Sequence, residues 1–207
     1  MSITLVIIII TVLISLNGFQ NREFFEKLKH HPYSEAKNKE YHRLISSGFL
    51  HADWWHLGIN MYVLYEFGTL VESIYTQYYG DAIGRTIYLL LYIAMIVLAD
   101  IPSYIKYKDN YAYGAIGASG AVSGILFIFI LFAPWSTLSL YFAIPIPAIV
   151  FGVLYLVYSS WANNNANDNV GHDAHFFGAL AGMILTLLLI PSAFSIFIDR
   201  FVAGLPF

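Results

Sequence analysis

Gly117-Ala118-Ser119-Gly120-Ala121-Val122-Ser123-Gly124 is a run of very small residues that opens directly into the apolar Ile125-Leu126-Phe127-Ile128-Phe129-Ile130-Leu131. Small residues let backbones approach closely, and helices in lipid associate through such surfaces. Ser119, one residue ahead of Gly120-x-x-x-Gly124, therefore sits in tight quarters at the mouth of a hydrophobic helix. The start of that helix leaves backbone N–H groups unpaired and carries a partial positive charge. Both features suit an alkoxide nucleophile and the oxyanion it would create. Taken alone, the octapeptide reads more simply as a helix-packing face that happens to contain serines.

The surrounding chain makes lipid the relevant solvent. Of 207 residues, 58% are apolar and 11% charged, against about 25% charged in typical globular chains, and the mean hydropathy is +0.65. This is the composition of an integral membrane protein. A span takes roughly 20 mostly apolar residues, so the length accommodates about six. The formal net charge is −3 with no long basic run, which argues against a nucleic-acid partner. The absence of cysteine excludes disulfides, thiolate metal sites and a cysteine nucleophile.

One membrane domain over residues 1–207 is expected, with spans at about 2–19, 54–75, 85–103, 118–132, 140–160 and 170–190. The first stretch lacks a basic leading segment and a small-x-small cleavage site, so it reads as a retained span. Residues 20–43 carry Arg22, Lys27, Lys29, Lys37, Lys39 and Arg43 against Glu23, Glu26, Glu35 and Glu40. They read as a surface loop with a short amphipathic helix near Glu23–Lys29, in which His30, His31 and His42 are solvated. Trp54-Trp55 are interfacial anchors, Ile101-Pro102-Ser103 signals the end of the third span, and Pro145 and Pro147 make the start of the fifth irregular. Asn163–Asn169 forms a polar loop, and residues 191–207 a short amphipathic tail.

Ionisable residues within spans are costly and point to function. Three groups stand out: Ser119 with Ser123; His56 with Asn60, preceded by His51; and His172-Asp173-x-His175, followed by Gly178-x-x-x-Gly182. With six spans, the starts of the second, fourth and sixth lie on one membrane side, so the three groups can meet at one depth. His175, Gly178 and Gly182 share a helix face, offset by roughly 60° or less. Close packing of that face on Gly120-x-x-x-Gly124 would bring the imidazole of His175 to the hydroxyl of Ser119, as nucleophile and base require. Asp173 lies about 200° around the helix from His175 and cannot easily orient its ring, so a dyad is expected. Asn60 and His56 can donate to an oxyanion alongside the Ser119 N–H.

In this order, His51-x-x-x-x-His56-x-x-x-Asn60, Gly117-Ala118-Ser119-Gly120 and Ala174-His175-x-x-Gly178-x-x-x-Gly182 resemble the motifs of a rhomboid intramembrane serine protease, from about Arg43 to Ile190. The resemblance implies an all-α six-helix bundle with a water-filled cavity sunk into the membrane. It implies Ser119 as nucleophile, His175 as base and then acid, Asn60 and His56 as oxyanion donors, and His51 as a support of the neighbouring loop. It implies cleavage of single-span membrane proteins through an acyl-enzyme, with no cofactor or metal, in a bacterial cell (inner) membrane.

Two departures accompany the resemblance. Where family members often place an aromatic residue against the catalytic imidazole, four residues after the nucleophile, this chain has Ser123; Phe127 or a residue of another span must hold His175. A Trp-Arg pair familiar from the first loop of some members is also missing. Orientation is contested by charge: the loops at 20–43, 104–116 and 161–169 hold eight Lys or Arg, and the opposite side only Arg85 and Arg200. The positive-inside rule would put those loops in the cytoplasm, whereas the family arrangement puts them outside. Two other functions compete: a catalytically inactive rhomboid-like binding protein, and a metal-dependent enzyme or transporter using His51, His56, His172, Asp173 and His175. His51 and His56 lie about 140° apart on a helix, and no H-E-x-x-H pair is present. The oligomeric state is not legible.

Overall fold

The computed structural model describes residues 2–140, 144–165 and 171–205. Helix α1 (Ile3–Gln20) is followed by three short helices, α2 (Arg22–Leu28), α3 (Pro32–Asn38) and α4 (Arg43–Ser46). Long helices α5 (Trp54–Tyr79) and α6 (Asp81–Tyr107) lead to α7 (Ser119–Phe132). A two-stranded antiparallel hairpin, β1 (Thr137–Leu140) and β2 (Ile144–Pro147), precedes α8 (Ala148–Asn165), α9 (His172–Leu189) and α10 (Ser192–Ala203). Each of the six expected stretches overlaps a helix. Three of these, α1, α6 and α9, are long and apolar enough by length and composition to cross a membrane. Leu13, Leu90, Val157 and Leu188 stand exposed on the outer surface, as a lipid solvent favours.

The fourteen-residue α7 is the hub, apolar on every face and buried almost all round from Gly120 to Phe132. Around it pack fully buried Leu64, Tyr75, Tyr88, Tyr92 and Met95 from α5 and α6. Against α9 there is no room for side chains. A Cβ at Gly178 would come within 3.0 Å of the Gly120 backbone, and one at Gly182 within 3.0 Å of the Gly124 backbone. The two small-residue faces therefore lie backbone to backbone.

Several expectations are corrected. Pro102 does not end the third helix, which continues to Tyr107. Pro102 lacks the N–H that would pair with the Leu98 carbonyl, and the helix continues past it with that one bond missing. The fifth helix starts only at Ala148: Pro145 and Pro147 lie in β2, opposite Ser139 and Thr137. Residues 141–143, within the expected fifth span, and 166–170, within the polar loop and the start of the sixth, lie outside the described residues. The tail expected over residues 191–207 contains α10, from Ser192 to Ala203.

The largest correction concerns residues 20–43. The expected helix is present as α2, but His30 and Glu35 are fully buried and His31 nearly so, where solvated side chains were expected. His30 Nδ1 contacts Glu35 Oε1 at 2.7 Å and its Nε2 contacts Ser103 Oγ at 2.9 Å, while the His31 N–H donates to the same carboxylate at 2.9 Å. Arg43 donates to the Glu26 and Lys29 carbonyls at 2.6 and 3.1 Å and to Glu40 at 2.5 Å. Buried polar groups are mostly hydrogen-bonded, and here the charged stretch folds into a polar cap over α6 in which Glu35 Oε1 is paired and Glu35 Oε2 is not. Two backbone bonds of 3.0 Å between His30 and Ala115 tie this cap to the strand of chain leading to Ser119.

Burial lowers the affinity of His30 for its proton, but the hydrogen bond to Glu35 and the charges of Asp100, Glu35 and Asp173 outweigh it, so its pKa is raised above the ordinary 6.5. A raised folded-state pKa gives stability that is complete below about pH 6.5 and lost as pH climbs through the raised value. Wild-type thermal stability is therefore expected to fall over that range. Glu35→Gln, which keeps the acceptor oxygen but removes the charge, should flatten this decline. Melting temperatures of both proteins across pH 5.5–9 check it (roughly the window linkage selects); parallel curves would refute it.

Candidate active site

The polar groups of α5, α7 and α9 line one cavity of about 680 Å³, with Phe151 and Tyr155 of α8 closing another wall. His56, Asn60, Ser119 and His175 all border it. The Asp53 side chain accepts from the His56 N–H at 2.8 Å and starts α5. One turn further in, buried Asn60 donates Nδ2 to the His56 carbonyl at 2.9 Å. A primary amide has two N–H donors, so this bond fixes Asn60 and leaves a second hydrogen.

Ser119 is the first residue of α7, and the residue before it, Ala118, provides no side-chain cap. The first N–H groups of the helix thus remain as donors at the serine, with the helix dipole behind them. Gly117 takes φ +124°, a left-handed backbone that favours glycine. A Cβ there would lie 2.9–3.0 Å from the His56 ring and 3.6 Å from Ser119 Oγ. The missing side chain is what lets the His56 imidazole and the serine hydroxyl share one corner. Opposite, a Cβ on Gly120 would meet the Ala174 carbonyl oxygen at 3.2 Å, so the chain neighbours of Ser119 and His175 are in contact.

His51 lies behind this corner. It is fully buried, its Nδ1 is 3.0 Å from Ser15 Oγ, its Nε2 faces the Ala118 N–H at 3.5 Å, and its ring lies 4.8 Å from that of His56. Ser15 Oγ also bonds to the Phe49 carbonyl at 2.9 Å, so the hydroxyl donates there and accepts from Nδ1–H. That assigns His51 as a neutral tautomer. Burial, then the adjacent His56, push its pKa down to about 3, so it stays an uncharged prop between α1 and the approach to α7. The Gly117 N–H donates to the Ser47 carbonyl at 3.0 Å, fixing that approach from the other side.

His175 is held by rings. Tyr155 of α8 stacks on it with centroids 6.0 Å apart and planes 26° from parallel, and His172 meets it edge-on at 5.9 Å. Asp173 turns its carboxylate to the Ala174 N–H at 2.9 Å. Neither Tyr155 nor Ser47 stands out in the sequence, and Phe127, expected as a possible support, contacts Tyr155. Tyr155 is one of sixteen tyrosines, and nothing local sets it apart. Among the described residues, no group of three or more His, Asp or Glu is arranged to hold a metal ion.

Comparison with known proteins places this architecture. The Rhomboid domain family model matches residues 38–192. RHOMBOID-like protein 12, mitochondrial, of Arabidopsis thaliana is 30% identical over 155 residues, covering 72% of this chain and 46% of its own length. Rhomboid protein 1, mitochondrial, of Saccharomyces cerevisiae is 29% identical, covering 68% and 40%, and Rhomboid-like protein 11, chloroplastic, of Arabidopsis thaliana is 29% identical, covering 74% and 55%. The chain spans about half the length of these relatives. Their organellar names lend no support to the expected bacterial inner membrane, whereas the apolar helices do support residence in a membrane.

Proposed function

Because the chain belongs to the rhomboid family, we propose that it is an intramembrane serine endopeptidase of six spans working through a Ser119–His175 dyad on single-span membrane proteins. The observation that carries this is the backbone contact of Gly120 with Ala174: the chain neighbours of an uncapped helix-start serine and of a ring-supported histidine meet beside one cavity.

In this reading, His175 takes the Ser119 hydroxyl proton as Oγ attacks the scissile carbonyl. The oxyanion that forms accepts from the Ser119 N–H, the free Asn60 amide hydrogen and the His56 imidazole, donors fixed in place before reaction begins. The imidazolium of His175 then protonates the leaving amine, and the C–N bond breaks to leave an acyl-enzyme. A water from the cavity, deprotonated by His175, attacks the ester and frees Ser119. A helical substrate hides its carbonyls in its own hydrogen bonds, so cleavage requires a segment that unwinds.

A fluorophosphonate probe tests the reading directly. Wild type in detergent should be labelled, and His175→Ala should not; a folded wild type that neither reacts with the probe nor cuts a transmembrane substrate would favour an inactive binding protein. Asn60→Ala should lower kcat by on the order of 10–10³, read as initial cleavage rates. An unchanged rate would remove Asn60 from the oxyanion site.

A further inference from the structure

The Tyr155 ring lies over the His175 imidazole, and the same tyrosine is hydrogen-bonded to α7. Resting on the dyad reading above, we infer that Tyr155 is the residue that positions His175, anchored through Ser123 to the backbone of the nucleophile itself.

Ser123 Oγ lies 2.7 Å from the Ser119 carbonyl and 2.5 Å from the Tyr155 hydroxyl. A serine has one hydroxyl proton; it goes to the carbonyl, so the Tyr155 O–H donates to Ser123. The result is a directed chain from the Tyr155 hydroxyl through Ser123 to the carbonyl of Ser119. At its far end the Tyr155 ring lies over the His175 imidazole. Phe151 stacks behind Tyr155 at 5.7 Å and Phe127 tilts against it at 5.9 Å, so the tyrosine has little freedom. The orientation of the base is thus referenced to the backbone of the serine it must activate, across α7, α8 and α9. Ser123, buried in the middle of this chain, gains a role that an alanine could not fill.

The experiment compares wild type, Ser119→Ala, Tyr155→Leu, Tyr155→Phe, Ser123→Ala and the double variant Y155F/S123A. Each is assayed with a fluorophosphonate and a fluorogenic single-span peptide. Tyr155→Leu should lower both the labelling rate and kcat by on the order of 10–10², the cost of a misplaced catalytic group, with KM changed less than about threefold. Tyr155→Phe keeps the ring and should lose only about 2–10-fold, the worth of one hydrogen bond. Ser123→Ala should lose a similar factor, and the double variant no more than the worse single, because both remove one shared bond. Wild-type kcat in Tyr155→Leu, a loss confined to KM, or losses that multiply in the double variant would each overturn the proposal. Should Tyr155→Leu fail to fold, the two milder variants and their combination still decide. If Ser119→Ala is inert while Tyr155→Leu behaves as wild type, the dyad reading stands and this proposal alone falls. If Ser119→Ala still cleaves, both fall together.

Discussion

Ser119→Ala is expected to abolish cleavage of a transmembrane substrate, lowering the rate by roughly 10⁴-fold or more, the scale on which removing a serine nucleophile acts. Fluorophosphonate labelling should vanish with it. The size of the effect follows from the division of labour at the cavity. The donors around the oxyanion survive the substitution, but no oxygen remains to form the acyl-enzyme, and a bare imidazole facing water recovers little of the rate. The protein itself should hardly notice. Ser119 opens α7 without capping it, since Ala118 holds the cap position, and alanine is a good helix former. A change within about 0.5 kcal/mol is expected, so the melting temperature in detergent should match wild type. Cleavage near the wild-type rate in this variant would discard the dyad.

Gly178→Leu should be the most damaging change away from the catalytic groups, losing both the fold and the activity. A Cβ at 178 would run into the Gly120 carbonyl group and Cα, and backbone atoms in the middle of a buried helix cannot swing aside as a flexible side chain would. Overpacking of well-filled cores costs about 1–3 kcal/mol and occasionally more; a four-carbon side chain at a backbone contact belongs at or above the top of that range. The same wedge separates Ser119 from His175, because Gly120 and Ala174 are their direct neighbours. Whatever fraction still folds should therefore be impaired in kcat. Gly178→Ala should show a graded version of both losses. Melting temperature and single-turnover cleavage, measured together, check the pair; an undisturbed Gly178→Leu would refute the backbone contact of α7 with α9.

The parts of this arrangement that follow helical periodicity were legible in the sequence. Gly120, Gly124, Gly178 and Gly182 recur at the spacing of one helix face, and in lipid such faces have one obvious use. His56 and Asn60 are likewise one turn apart, and both border the cavity. What depends on contacts distant along the chain was not legible. His30 looked like a solvated member of a charged loop because its partners are Glu35, Ser103 and the backbone of Ala115, and only the folded cap brings them together. Pro102 carries the local signature of a helix end, yet tertiary surroundings in α6 override it. Ser123 puts no aromatic ring at the α7 position four residues after Ser119. That the ring beside His175 is Tyr155, thirty-two positions later on α8, is a fact of packing that no spacing rule contains.

The shortness of α7 sets a depth. Fourteen residues at 1.5 Å each reach about 21 Å, some 9 Å less than the roughly 30 Å of hydrocarbon in a bilayer. At its far end, Trp135 donates to the Phe201 carbonyl of α10 at 2.9 Å and Arg200 bonds the Phe132 carbonyl, the aromatic and cationic company of a membrane boundary. With that end at the boundary, Ser119 falls below the level of the opposite surface, inside the protein and beside its cavity. The proposed hydrolysis at that depth would consume a reagent that the surrounding medium excludes. In the proposed reaction the cavity is as much a reservoir as a binding site, because it must hold the water that each acyl-enzyme consumes.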